Sequence, residues 1–139
     1  MVDVKICVIG AGSAVFSLNL ITDLALAPSL YGSTVSLVDV NEERLNAVFS
    51  LMKRLCEEVG ANYRLEKTTD RRAALRDADF VVNTALAAGH DRLRGGWEVA
   101  REFGYRFGGS LHVMHDEAFW INFYQLRLFE DILQDVLEL

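Results

Sequence analysis

Apolar residues follow two alternating rhythms along this chain: short continuous runs, and stripes at helical spacing. Val4-Lys5-Ile6-Cys7-Val8-Ile9 is a β-branched run that stops at a glycine, as a buried parallel strand does. Residues 13–27 then place Phe16, Leu20, Ile21 and Leu24 on one helical face, and Ala27-Pro28-Ser29 closes that segment. Val35-Ser36-Leu37-Val38 predicts a second strand ending on Asp39. Asn41 is a suitable N-cap, Glu42 and Glu43 suit the first turn, and Leu45, Val48, Phe49, Met52, Leu55, Cys56 and Val59 form one stripe that Gly60 ends. Residues 63–68 alternate as a more exposed third strand, and Thr69 or Asp70 caps a short helix reaching about Arg76. Residues 79–84, nearly continuously apolar, form a fourth strand.

Strand, helix, strand, helix, strand, helix, strand is the order of an α/β fold. It predicts a Rossmann-like, doubly wound parallel sheet in spatial order 3-2-1-4, with right-handed crossovers. Residues 85–91 read as a loop at the carboxyl end of the fourth strand, where open sheets of this kind bind ligands. A helix near 92–103 and a loop over 104–115 follow, and Asp116 or Glu117 begins an additional C-terminal helix. On that last helix Arg127, Glu130, Asp131, Gln134, Asp135 and Glu138 make the polar side, opposite Phe119, Phe123, Leu126, Phe129, Ile132, Leu133 and Val136. So apolar a face needs a partner, which predicts a further domain or a homo-oligomer contact.

Composition narrows the classes. The 139 residues suit one domain, 1–139, and a hydrophobic content of 51% with a single proline excludes a disordered chain. A formal charge of -6 leaves no basic footprint for nucleic acid. No apolar run approaches the roughly 18–20 residues of a membrane span, and residues 1–6 do not open a secretory signal, so a cytoplasmic protein is expected. Cys7 and Cys56 sit in apolar stretches and read as core thiols.

Gly10-Ala11-Gly12 stands between a strand and a helix, where a dinucleotide fingerprint belongs. The first glycine permits the tight turn, and the second lets backbone N–H groups at the helix start approach a pyrophosphate. Val15 occupies the third glycine position, which predicts looser packing of helix on strand, and Ser13 offers a hydroxyl to the phosphate. Asp39 is placed to accept from the adenosine ribose hydroxyls, which favours NAD over a 2′-phosphorylated cofactor.

Four segments in order extend the pattern: Gly10-Ala11-Gly12-Ser13-Ala14-Val15-Phe16, the run from Leu37 to Leu45, the run from Thr68 to Leu75, and Ala78-Asp79-Phe80-Val81-Val82-Asn83-Thr84. Together they resemble glycoside hydrolase family 4, the NAD- and Mn²⁺-dependent α-glucosidases, α-galactosidases, α-glucuronidases and 6-phosphoglycosidases. The resemblance implies a glycosidase that works by redox elimination rather than with paired carboxylates. In such a reaction hydride leaves the sugar at C3 for NAD, the acidified C2 proton goes to a base, and the glycosidic bond breaks. Water then adds and the hydride returns, while the metal polarises the C2 and C3 oxygens. Gly10, Gly12, Ser13, Ala14, Val15 and Phe16 match the pyrophosphate turn, Asp39 the ribose ligand, and Asn83 and Thr84 the strand end beside the nicotinamide. Arg94, with Arg92 as second choice, matches the spacing of an arginine that contacts the glycoside substrate.

Departures from the pattern also carry expectations. Residues 108–117 replace a Gly-Pro-Gly-Gly-like loop, which favours an unphosphorylated α-glucoside or α-glucuronide. His112 and His115 stand beside Asp116 and Glu117, a spacing that is a weak metal signal, and helix capping or a sugar contact suits them better. No Cys-Asn-Pro segment occurs, so no residue here is assigned to catalysis or to metal binding. The family's metal ligands and catalytic base are expected downstream of residue 139, making this an N-terminal portion of the enzyme. Two other readings fit the same layout: the first half of an NAD-dependent 2-hydroxy acid dehydrogenase, and a non-enzymatic nucleotide-binding module.

Overall fold

The computed structural model describes residues 3–87, 89–106 and 119–139. They form two compact units, one running to Ala85 and the other from Leu86 to Glu138.

In the first unit β1 (Lys5–Ile9), β2 (Thr34–Val38), β3 (Arg64–Thr68) and β4 (Phe80–Asn83) make one sheet of order β3-β2-β1-β4. All three pairings are parallel: Ile6 stands beside Val35 and Phe80, and Val35 beside Leu65. The predicted order is therefore observed. Burial follows position in the sheet. The inner strands β1 and β2 are buried along all but their first residue, while β3 is largely exposed. The apolar run of residues 79–84 forms β4 as expected; among the described residues β1 is its strand neighbour, and Phe80 is 58% exposed.

Helix α1 (Ala14–Ala25) and helix α2 (Glu42–Val59) pack together, and the short α3 (Arg71–Leu75) lies against β2 and β3 on the way back to β4. Helices cover both sides of the sheet. The core joins Ile6, Val8, Val35 and Leu37 of the sheet to Ile21 and Leu24 of α1 and to Leu45, Val48, Met52 and Cys56 of α2. Fully burying one such aliphatic side chain stabilises by about 1.5–3 kcal/mol. The inward face of α1 differs from the expected stripe: Ser17, Ile21, Leu24 and Ala25 are buried, whereas Phe16 faces solvent. Val15, 78% exposed, does not stand between helix and strand, so the expected loosening there does not arise. Both cysteines are free and buried.

In α2 the expected ends are observed. Asn41 Oδ1 accepts from the Arg44 N–H at 2.9 Å, and Gly60 closes the helix in the left-handed conformation at φ 75°. Asp70 caps α3 by accepting from the N–H groups of Arg72 and Ala73.

The second unit contains α4 (Gly89–Glu102) and α5 (Phe119–Glu138), the latter being the expected C-terminal helix. Helix α4 begins within the stretch 85–91 that the sequence suggests is loop, since a glycine and two polar residues are tolerated in a first turn where N–H groups need no intrahelical acceptor. The predicted start of α5 at Asp116 or Glu117, most of the 104–115 loop, and His112 and His115 lie outside the described residues. Among the described side chains of α5, Ile132 and Asp135 are buried, whereas Phe123, Leu126 and Leu133 are exposed. Asp135 therefore belongs to the covered side and not to the polar one. Among the described residues no helix is long and apolar enough to cross a membrane.

Candidate functional site

The turn between β1 and α1 is held from four directions. Gly10 N–H and Ala11 N–H both donate to the Val38 carbonyl at the end of β2, at 2.8 and 2.9 Å. Gly10 has φ +85°, and a Cβ there would lie 2.5 Å from the Ala85 backbone nitrogen, so only glycine passes so close to the end of β4. The Thr84 hydroxyl donates to the Ile9 and Gly10 carbonyls at 3.1 Å each. Ser17, buried on the first turn of α1, donates through Oγ to the Ala11 carbonyl at 2.7 Å.

Asp39 joins this turn to the start of α2. Its Oδ2 accepts from Gly12 N–H at 2.8 Å and its Oδ1 from Asn41 N–H at 2.8 Å. A Cβ on Gly12 would stand 2.8 Å from the Asp39 carboxylate carbon, so the missing side chain is what lets carboxylate and backbone meet. The Gly12 N–H is thus committed to Asp39 and is not one of the donors open to a phosphate. Each carboxylate oxygen keeps a lone pair for a hydroxyl donor.

The two helix starts beside the turn contrast. At α2, Asn41 caps, and Glu42 and Glu43 lie in the first turn against the positive end of the helix dipole. At α1 the N-cap Ser13 makes no side-chain cap bond and no acidic residue lies in the first turn. The first bond there runs from Ser17 N–H to the Ser13 carbonyl, so the N–H groups of Val15 and Phe16 meet no acceptor among the described residues. An uncapped helix start behind a glycine turn suits an anion, with N–H donors and dipole acting together.

Asn83 ends β4, next in register to Ile9. Its Oδ1 accepts from Ala85 N–H at 3.1 Å, while its Nδ2 is buried and, among the described residues, has no partner. A buried amide donor left unmatched costs about 1–3 kcal/mol, so an acceptor brought by a ligand gains that amount. The turn residues, Asp39, Asn83 and Thr84 thus lie together at the carboxyl edge of the sheet. Uncapped donors, a fixed carboxylate and an unmatched amide fit the phosphates, hydroxyls and carbonyl groups of a dinucleotide. Ser17 and the unmatched Asn83 donor escaped sequence reasoning; a lone hydroxyl on an apolar stripe beside a glycine turn was the available signal for the first. Arg94 is exposed on α4 in the second unit. The side chain of Arg92 lies outside the description.

Comparison with known proteins gives a consistent set. The chain matches the model of the family 4 glycosyl hydrolases over residues 5–139. It is 35% identical over 89 residues to an alpha-galactosidase of Rhizobium meliloti, covering 64% of this chain and 18% of that protein. It is 32% identical over 101 residues to an alpha-glucosidase of Erwinia rhapontici, covering 72% and 22%. Among solved structures, a 6-phospho-beta glucosidase from Thermotoga maritima with NAD and glucose-6-phosphate superimposes on 96% of this chain and 31% of its own, with TM-score 0.77 at 20% identity. A 6-phospho-alpha-glucosidase from gut microorganisms in complex with NAD and Mn²⁺ covers 74% of this chain and 24% of its own, with TM-score 0.66 at 22% identity. The chain spans about a fifth of the length of the curated relatives it matches.

Proposed function

The chain belongs to family 4 of the glycosyl hydrolases, and we propose that its residues 1–139 are the NAD-binding part of a glycosidase that cleaves an unphosphorylated α-glycoside by redox elimination. The observation that carries this reading is the uncapped start of α1 beside an Asp39 already fixed by Gly12 N–H. NAD, when bound, supplies reversible hydride acceptance at the sugar. The chain's own residues bind and orient it. Gly10 and Gly12 form the turn, the N–H groups of Val15 and Phe16 and the Ser13 hydroxyl face the pyrophosphate together with Ala14, and Asp39 receives the adenosine ribose hydroxyls. Asn83 Nδ2 donates at the nicotinamide end, and Thr84, whose hydroxyl proton is committed to β1 and the turn, keeps that end in place. Arg94, with Arg92 as second choice, is proposed for the α-glucoside or α-glucuronide.

The residues fit Mn²⁺ less well. Among the described residues no group of three His, Cys, Asp or Glu side chains is placed to hold a metal ion. The role proposed for the turn residues, Asp39, Asn83 and Thr84 is cofactor binding, and that for Arg94 and Arg92 is substrate contact.

Titration with NAD tests the reading: saturable binding is expected, and none up to millimolar NAD would overturn it. Asp39→Ala should weaken NAD at least about tenfold, since it removes a charge-assisted hydrogen bond and frees the turn. In the complete enzyme, hydrolysis of p-nitrophenyl α-glucoside or α-glucuronide must require NAD; turnover that survives its removal would exclude redox elimination.

A further inference from the structure

Helix α2 carries a cation where a helix disfavours one. Arg44 sits in the first turn, its backbone N–H donating to the cap Asn41, and a positive side chain there opposes the helix dipole that Glu42 and Glu43 complement. Its side chain is exposed, and among the described residues its guanidinium makes no hydrogen bond or ion pair. Its place relative to the site is close: a Cβ on Gly12 would come within 3.0 Å of Arg44 Cβ, so this side chain leaves α2 directly against the glycine turn. Asp39, Glu42 and Glu43 stand within five positions of one another in sequence, the two glutamates in the same first turn, and their charges oppose a dinucleotide's two phosphate charges. A lone guanidinium in that position offsets them, and its planar fork of donors matches two oxygens of one phosphate.

We propose that Arg44 binds the phosphate on the adenosine side of the dinucleotide, the one next to the ribose held by Asp39, while the start of α1 takes the rest of the pyrophosphate. This inference rests on the reading of the site as one for NAD. It also accounts for a helix that tolerates an unfavourable charge in its first turn.

The test is a ligand series, adenosine, AMP, NAD and NADP, titrated into the wild-type chain and into Arg44→Gln, Arg44→Lys and Asp39→Ala. Arg44→Gln should weaken AMP and NAD about tenfold, the factor that about 1.4 kcal/mol supplies. It should leave adenosine unchanged and flatten the salt dependence of NAD binding. Arg44→Lys should restore part of the loss, and Asp39→Ala should weaken adenosine as well. The melting temperature of Arg44→Gln should equal or exceed that of the wild type, because a cation has left a helix N-terminus. NAD affinity within twofold of the wild type, an equal loss for adenosine, or a loss confined to NADP would each overturn the proposal. Failure of the wild-type chain to bind NAD would instead overturn the cofactor reading, and Arg44's role with it.

Discussion

Gly12 and Asp39 constrain each other, because the backbone N–H of one reaches the carboxylate of the other only while no Cβ intervenes. Gly12→Ala should therefore break that bond and lower stability by about 1–2 kcal/mol, with a loss of NAD affinity larger than the loss of stability. Gly10→Ala should cost more, since it meets both a positive φ and the Ala85 backbone. Urea melts and NAD titrations of the two variants check the order. Gly10, Gly12, Asp39 and Asn41 were legible in the sequence because each residue type does one job that few others can. Ser17, the unmatched Asn83 amide and the crowding of Arg44 on Gly12 were not, since they depend on which backbone atoms arrive nearby from distant segments. Phe16 shares helical spacing with Leu20, Ile21 and Leu24 but faces solvent, about 100° around the helix from the buried Ser17.

Helix α2 shows how far local signals carry. Asn41, Gly60 and the stripe from Leu45 to Cys56 are positioned as the pattern predicts, because cap, periodicity and left-handed terminator agree, whereas Val59, the last residue of the predicted stripe, is exposed. Asn41→Ala should cost about 1 kcal/mol through the lost cap. Gly60→Ala should cost about 1 kcal/mol too, although open space surrounds it, because its φ of 75° strains any side-chain-bearing residue. Thermal unfolding followed by circular dichroism measures both, and a Gly60→Asn variant should recover part of the second loss. Where an element's signal comes from polarity alone the reading weakens: the charge of Asp135 does not reveal the buried side of α5.

For the whole molecule, strand order was legible because short right-handed crossovers leave few arrangements of four parallel strands. The order observed, β3-β2-β1-β4, puts β1 in the interior of the sheet, and with it Cys7. Burial pushes the Cys7 thiol from an ordinary 9.0 up to about 11, with Lys5 opposing weakly. Burial also raises Cys56, aided by Glu57, and Tyr63, aided by Tyr31 and Cys56. All three are acids held in the neutral form when folded, so the unfolded chain loses protons first as pH rises. The contribution of Cys7 to stability is complete below about pH 9 and is lost as the pH passes about 11, and Cys56 and Tyr63 act in the same direction. Urea midpoints measured from pH 8 to 11 should fall across that window, and native Cys7 should resist a thiol reagent at pH 8 until denaturant is added.

The bond between Gly12 and Asp39 also has a consequence in time. Since the turn and the start of α2 are already tied together, their ordering belongs to folding and not to the encounter with ligand. Mixing the chain with excess NAD in a stopped-flow instrument should give one exponential whose rate rises linearly with concentration, with no plateau from a slow rearrangement. In Asp39→Ala, where the turn must first find its shape, a saturating rate should emerge.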